Sequence, residues 1–92
     1  MDSQTIVDLC KQYTMWSWSK SGPLNPLAFD RAEGVYLYTP EGKRYLDFNS
    51  QLMSVNIGHS HPKVREAMKR AVDELLFAAP SAATAVRGRL GK

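Results

Sequence analysis

"GVYLYTPEGKRYLDF", residues 34–48, is the stretch on which the fold turns. Val35 and Leu37 alternate with Tyr36 and Tyr38, a period of two in residue types that favour extended backbone, so the sequence predicts a strand with two unlike faces. Thr39-Pro40-Glu41-Gly42 then supplies a turn, because proline presets φ at its second position and glycine tolerates the exit. Lys43 to Phe48 reads as the returning strand, with Tyr45 and Asp47 on one face and Arg44, Leu46 and Phe48 on the other. Together they make an antiparallel β-hairpin.

Upstream, Ile6, Cys10 and Tyr13 follow the i, i+4, i+7 spacing of one helical face, widened by Val7 and Leu9. With Asp2 or Ser3 as a cap, a helix is expected from Ser3 to about Tyr13. Trp16 to Pro23 has no helical period, and its Ser, Gly and Pro content reads as an irregular segment carrying two large aromatics. Downstream, Leu52, Met53, Val55 and Ile57 suggest a short buried strand. Pro62 suits the first turn of a helix, since the N–H it lacks would have had no partner there. Val64, Met68, Ala71, Val72 and Leu75 form an apolar stripe along that helix, with Lys63, Arg65, Glu66, Lys69, Arg70 and Asp73 on its solvated side. Ala78-Ala79-Pro80-Ser81 ends it, and Ser81 is the expected cap of another helix running towards Leu90.

The chain has 92 residues, 43% of them hydrophobic and 23% charged, a globular mixture rather than a disordered or fibrous one. At this length a core is small, and unaided stability is marginal without a metal, a disulfide or a partner. A single cysteine, Cys10, makes no internal disulfide, so a reducing, cytoplasmic setting is expected. Met1 to Gln4 show no basic n-region leading into an apolar one, and no apolar run approaches membrane-spanning length, so a soluble, untargeted protein is expected. The net charge of +3 owes much to Arg87, Arg89 and Lys92. On the Pro62 helix Glu66, Asp73 and Glu74 interleave with the basic residues, which reads as a solvated surface rather than a nucleic-acid face.

Few residues carry chemistry in a recognisable pattern. His59 and His61 sit two apart, which begins a metal site, but nothing completes a tetrahedral set, and a pair packed at a loop-to-helix junction is the plainer reading. No serine lies in a Gly-x-Ser-x-Gly elbow, and the six glycines never fall in the spacing of a phosphate-cradling loop. No catalytic, cofactor-binding or metal-binding residue is therefore assigned. Trp16 and Trp18 are open to two readings: rigid walls for a ligand or partner, or plugs for a core gap.

Several of these segments together resemble a known family. Glu33-Gly34, then Gly42-Lys43-Arg44-Tyr45-Leu46-Asp47-Phe48, then Asn56-Ile57-Gly58-His59-Ser60-His61-Pro62 match, in order and spacing, the N-terminal part of class-III pyridoxal-phosphate-dependent aminotransferases. That group includes omega-amino-acid, taurine and ornithine-type transaminases, and the likeness covers about Leu24 to Leu75. It implies an α+β fragment (N-terminal helix, antiparallel hairpin, amphipathic helix) belonging to the small N-terminal domain part of the α/β PLP-dependent transferase fold type I. Residues 1–92 would be the N-terminal portion of an aminotransferase whose large cofactor-binding domain is absent.

The resemblance further implies a cytoplasmic homodimer that moves an amino group from an amine or amino acid to a keto acid through pyridoxal phosphate. This chain lacks the family's phosphate-binding turn, its pyridine-pairing aspartate and its Schiff-base lysine, so it is expected to be inactive alone and not to hold the cofactor stably. By position Trp16, Trp18, Leu52 and Met53 would line the substrate entrance. Several omega-transaminases place tryptophan where Met53 stands, and methionine accepts a wider range of shapes. As a fragment, the chain is expected to expose much of Val35, Leu37, Val64, Met68 and Leu75. The alternative, from another class, is a small non-catalytic protein-interaction module built on Trp16 and Trp18.

Overall fold

The order of elements follows from where the chain stores its local signals. A computed structural model describes residues 1–19 and 24–92; the Lys20–Pro23 part of the expected irregular segment lies outside the described residues. Along the chain come α1 (Ser3–Tyr13), β1 (Arg31–Glu33), β2 (Tyr36–Tyr38), β3 (Arg44–Leu46), a one-turn α2 (Ser50–Met53), α3 (Pro62–Glu74) and α4 (Ala85–Leu90). Two units divide it, Met1–His61 and Pro62–Lys92. None of the helices is long and apolar enough to cross a membrane.

In the first unit the hairpin stands, extended by one strand that the sequence reading missed. The sheet runs β1-β2-β3, antiparallel throughout. β1 carries Arg31, Ala32 and Glu33, none a strong strand former, so only pairing reveals it. Glu33 faces Tyr36 across a turn of Gly34 and Val35. Gly34 takes φ +58°, the sign that tight hairpin turns need at that position. Val35 therefore sits in the turn and not, as expected, in the strand.

Register sorts the faces. Ala32, Leu37 and Tyr45 are cross-strand partners and share one side, where Phe29 meets Tyr45 edge-on at 5.7 Å. On the other side Arg31 stacks over Tyr38 at 3.6 Å and Arg44 over Tyr36 at 4.4 Å, so cationic groups shield the tyrosine rings. Leu37 is buried, contrary to the exposure expected of it: as the middle residue of the central strand it is covered from both edges of its own sheet. Among the described residues only Val7, Ala28, Leu37 and Thr39 are buried.

Asp2 caps α1 by accepting from the Thr5 amide at 2.8 Å, as its spacing predicts. Glu41, at the tip of the β2–β3 turn, joins the same helix end to the hairpin. One of its oxygens accepts from the Ser3 amide at 2.8 Å and the other from the Ser3 hydroxyl at 2.5 Å. These donors lower its pKa from 4.5 to about 2. A depressed folded value means the clamp contributes fully above pH 4.5 and is lost as pH falls towards 2. The Ser3 amide resonance is therefore expected to titrate near 2 and to lose that step in Glu41→Gln; a midpoint near 4.5 in the native chain would contradict the clamp.

The expected helix at Pro62 opens the second unit, and α3 covers Pro62–Glu74, ending before the Ala78–Ser81 break where its end is expected. None of its residues is buried: Met68, Val72 and Leu75 of the apolar stripe are exposed and Val64 is half-buried. Among the basic residues of its other face, Lys69 pairs with Glu66 at 2.9 Å. The last helix begins later than expected. Thr84, not Ser81, caps α4 by accepting from the Arg87 amide, because Arg87 reaches back to the Pro80 and Ala82 carbonyls, both at 2.8 Å, and holds Ser81 in the preceding turn.

Candidate functional site

Asp47 leaves β3 on the Tyr45 side, where strand alternation places it, and His59 returns to the same point twelve residues later. The His59 backbone exchanges hydrogen bonds with Gly34, donating at 2.7 Å and accepting at 3.0 Å. Gly58, with φ +82°, lets the chain approach that turn: a Cβ there would lie 3.0 Å from the Gly34 carbonyl oxygen. His59 Nε2 then meets Asp47 Oδ2 at 2.6 Å, with the two side chains 12% and 5% exposed. Burial pushes the Asp47 carboxyl up, but hydrogen bonds from His59 and Gln51 outweigh it and hold the group below the usual aspartate value. The carboxylate is thus the ionised acceptor, and His59 Nε2 donates.

Between these ends the backbone does something the sequence reading did not anticipate. Leu52, Met53, Val55 and Ile57 form no buried strand. Ser50 to Met53 instead take φ of 52°, 50°, 59° and 61°, a turn of left-handed helix without a glycine. Such a conformation costs about 1–2 kcal/mol per residue for L-amino acids. The segment's polar groups close its bonds locally: Asn49 accepts from the Leu52 amide through its side chain and from the Met53 amide, at 3.0 Å, through its carbonyl. Local bonds of this kind compete with a strand ladder. The turn presents Leu52 at 59% and Met53 at 80% exposure.

The other expected wall residues do not share one hollow with this turn. Trp16 lines an open hollow of about 580 Å³ with Lys11, Gln12, Tyr13, Thr14, Met15 and Leu24, a set that includes neither Trp18, Leu52 nor Met53. Its indole nitrogen is buried and has no hydrogen-bond partner among the described residues. Trp18 is exposed and holds φ +62°. His59 and His61 do not act as a pair: His59 packs against Asp47, while His61 is exposed before α3. Among the described residues no cluster of three His, Cys, Asp or Glu side chains can hold a metal. The Asp47–His59 pair escaped the sequence reading, although strand alternation placed Asp47 on one face with Tyr45.

Known proteins resemble this chain in sequence and in fold. Residues 18–87 match the class-III aminotransferase family. The chain is 51% identical over 51 residues to acetylornithine aminotransferase of Aquifex aeolicus, covering 55% of this chain and 14% of that protein. It is 43% identical over 68 residues to the mitochondrial ornithine aminotransferase of Rattus norvegicus, covering 70% and 16%. Among solved structures, the taurine:2-oxoglutarate aminotransferase of Bifidobacterium kashiwanohense, in complex with PLP and glutamate, superposes with a TM-score of 0.86 at 34% identity, over 98% of this chain and 20% of that one. The chain thus spans a fifth or less of the length of these relatives. They give no support to a free-standing interaction module. A match that takes in the hairpin, the left-handed turn and the helix after it has one explanation: the chain belongs to the class-III aminotransferase family.

Proposed function

We propose that these residues form the substrate-entrance part of a pyridoxal-phosphate-dependent transaminase, a cytoplasmic homodimer that moves an amino group from an amine or amino acid to a keto acid. Leu52 and Met53, with Trp16 and Trp18, are the wall residues, and the large cofactor-binding domain lies in polypeptide outside the 92 residues. The observation that carries this reading is the left-handed turn: a strained backbone that leaves two apolar side chains in water suits a surface completed by something else.

The described residues with suitable groups for the cofactor are otherwise engaged. Its phosphate needs free backbone N–H groups, and at the start of α1 the Ser3 and Thr5 amides are taken by Glu41 and Asp2. A pyridine nitrogen needs a free buried carboxylate, and Asp47 is committed to His59 and Gln51. Lys43 lies over the Tyr45 ring and Lys69 on Glu66, neither beside an anion cradle. The groups that would hold the cofactor, whose chemistry is that of an electron sink for the substrate, are in this reading supplied by other polypeptide.

Mixed with pyridoxal phosphate alone, the 92-residue chain is expected to show no new visible absorbance band, and with an amine donor and a keto acid added, no amino-group transfer. A stable, stoichiometric band would overturn the division of labour. Sequencing the gene beyond the Lys92 codon is the companion check: a continuing frame with a Ser/Gly phosphate turn, an aspartate and a lysine supports the enzyme, and a stop codon there counts against it.

A further inference from the structure

We propose that Asp47 and His59 are positioning residues that select the substrate by locking the Ser50–Met53 turn in its left-handed form, so that Leu52 and Met53 stand in the entrance. This rests on the reading of those two residues as wall residues.

The two backbone bonds that close the turn on Asn49 and Ser50 do not by themselves choose its hand. Met53 N–H to the Asn49 carbonyl at 3.0 Å and Ser54 N–H to the Ser50 carbonyl at 2.8 Å are the i to i+4 bonds that a right-handed turn also makes. With no glycine among the four residues, the right-handed turn is intrinsically preferred. The tie that spans the turn and its base is the Asp47 carboxylate. Its Oδ1 accepts from both the backbone and the side-chain nitrogen of Gln51 at 3.2 Å, while its Oδ2 accepts from His59 Nε2 at 2.6 Å. His59 is in turn fixed by its two backbone bonds to Gly34, and the Asp47 amide donates to the Val35 carbonyl at 2.9 Å. The base is thus anchored to the β1–β2 turn, and one side chain carries that anchorage to the second residue of the left-handed turn. Releasing it lets residues 50–53 relax and carries Met53 out of its position. Neither Asp47 nor His59 touches the substrate in this scheme.

The test uses the full-length enzyme that carries this chain and reads the ratio of kcat/KM for a bulky against a small amine donor. That ratio does not change with the fraction of enzyme that is folded. Met53→Ala is expected to shift it by at least ~10-fold, the scale of a resized apolar wall. Asp47→Ala is expected to shift it in the same direction by ~10-fold or more, as displacement of a positioned group does. Asp47→Asn, which keeps an acceptor for Gln51, shifts it less. Adding Ser50→Gly to Asp47→Ala is expected to return the ratio towards the native value, because glycine takes φ +52° without penalty. If Met53→Ala shifts the ratio and Asp47→Ala only lowers total activity, the lock is not a positioning device. If Met53→Ala leaves the ratio unchanged, the entrance reading fails and this proposal fails with it. Should Asp47→Ala not accumulate as soluble protein, His59→Gln is read by the same ratio, and no shift overturns the lock.

Discussion

Leu37→Ala is expected to cost the first unit about 2–5 kcal/mol, the range for a buried leucine truncated to alanine. Leu37 is 8% exposed in the middle of the central strand, between Ala32 and Tyr45. With only three other buried residues described, Val7, Ala28 and Thr39, little surrounds the site to fill a cavity. Since each 1.4 kcal/mol is about a factor of ten in an equilibrium constant, hydrogen-exchange protection of the β2 and β3 amides is expected to fall at least ~30-fold. Leu75→Ala is the control. Leu75 is 57% exposed at the end of α3, and its truncation should stay within about 0.5 kcal/mol. Equal losses from the two substitutions would mean that the buried face of the sheet is not where stability resides.

Gly58→Ala is the second large effect, and it strikes the base of the left-handed turn. An alanine at φ +82° pays about 1–2 kcal/mol for its conformation. Its Cβ would also sit 3.0 Å from the Gly34 carbonyl oxygen, a backbone atom that cannot swing aside as a side-chain end does. The Gly34 carbonyl has to give way by a few tenths of an ångström, which loosens its bridge to His59, and each of the two hydrogen bonds there contributes about 0.5–1.5 kcal/mol. The expected result is loss of exchange protection at the His59 and Gly34 amides, together with release of His59 from Asp47. Gly42→Ala is the comparison: φ is +84° there too, but nothing lies within 4 Å of a Cβ, so only the conformational cost applies. A Gly58→Ala chain no worse than Gly42→Ala would show that close approach to Gly34 is not required.

The helices and the hairpin were legible because their signals are local. Asp2 and the Ile6-Cys10-Tyr13 spacing announce α1, Pro62 announces α3, and the Tyr-Leu-Tyr alternation with its Pro-Glu-Gly turn announces β2 and β3. β1 was not legible, since Arg31-Ala32-Glu33 has no strand preference and becomes a strand by pairing with Tyr36–Tyr38. The start of α4 moved from Ser81 to Thr84 because Arg87 holds the intervening carbonyls, a contact no spacing rule reports. At the candidate site Leu52 and Met53 were named on the strength of resemblance. Their conformation was misread, because an apolar run resembles a strand until its backbone bonds are known to close on Asn49 and Ser50.

Amphipathic period, capping residues and turn chemistry sufficed to state the secondary structure of most of this chain, since each acts within a few residues, and the family was legible through the resemblance of its motifs. The hand of the Ser50–Met53 turn, the meeting of Asp47 with His59 and the reach of Glu41 to Ser3 were decided only in three dimensions. Each joins residues that propensity treats as independent. The free energy of a hydrogen bond across such a separation exists only once the rest of the chain has brought its two ends together.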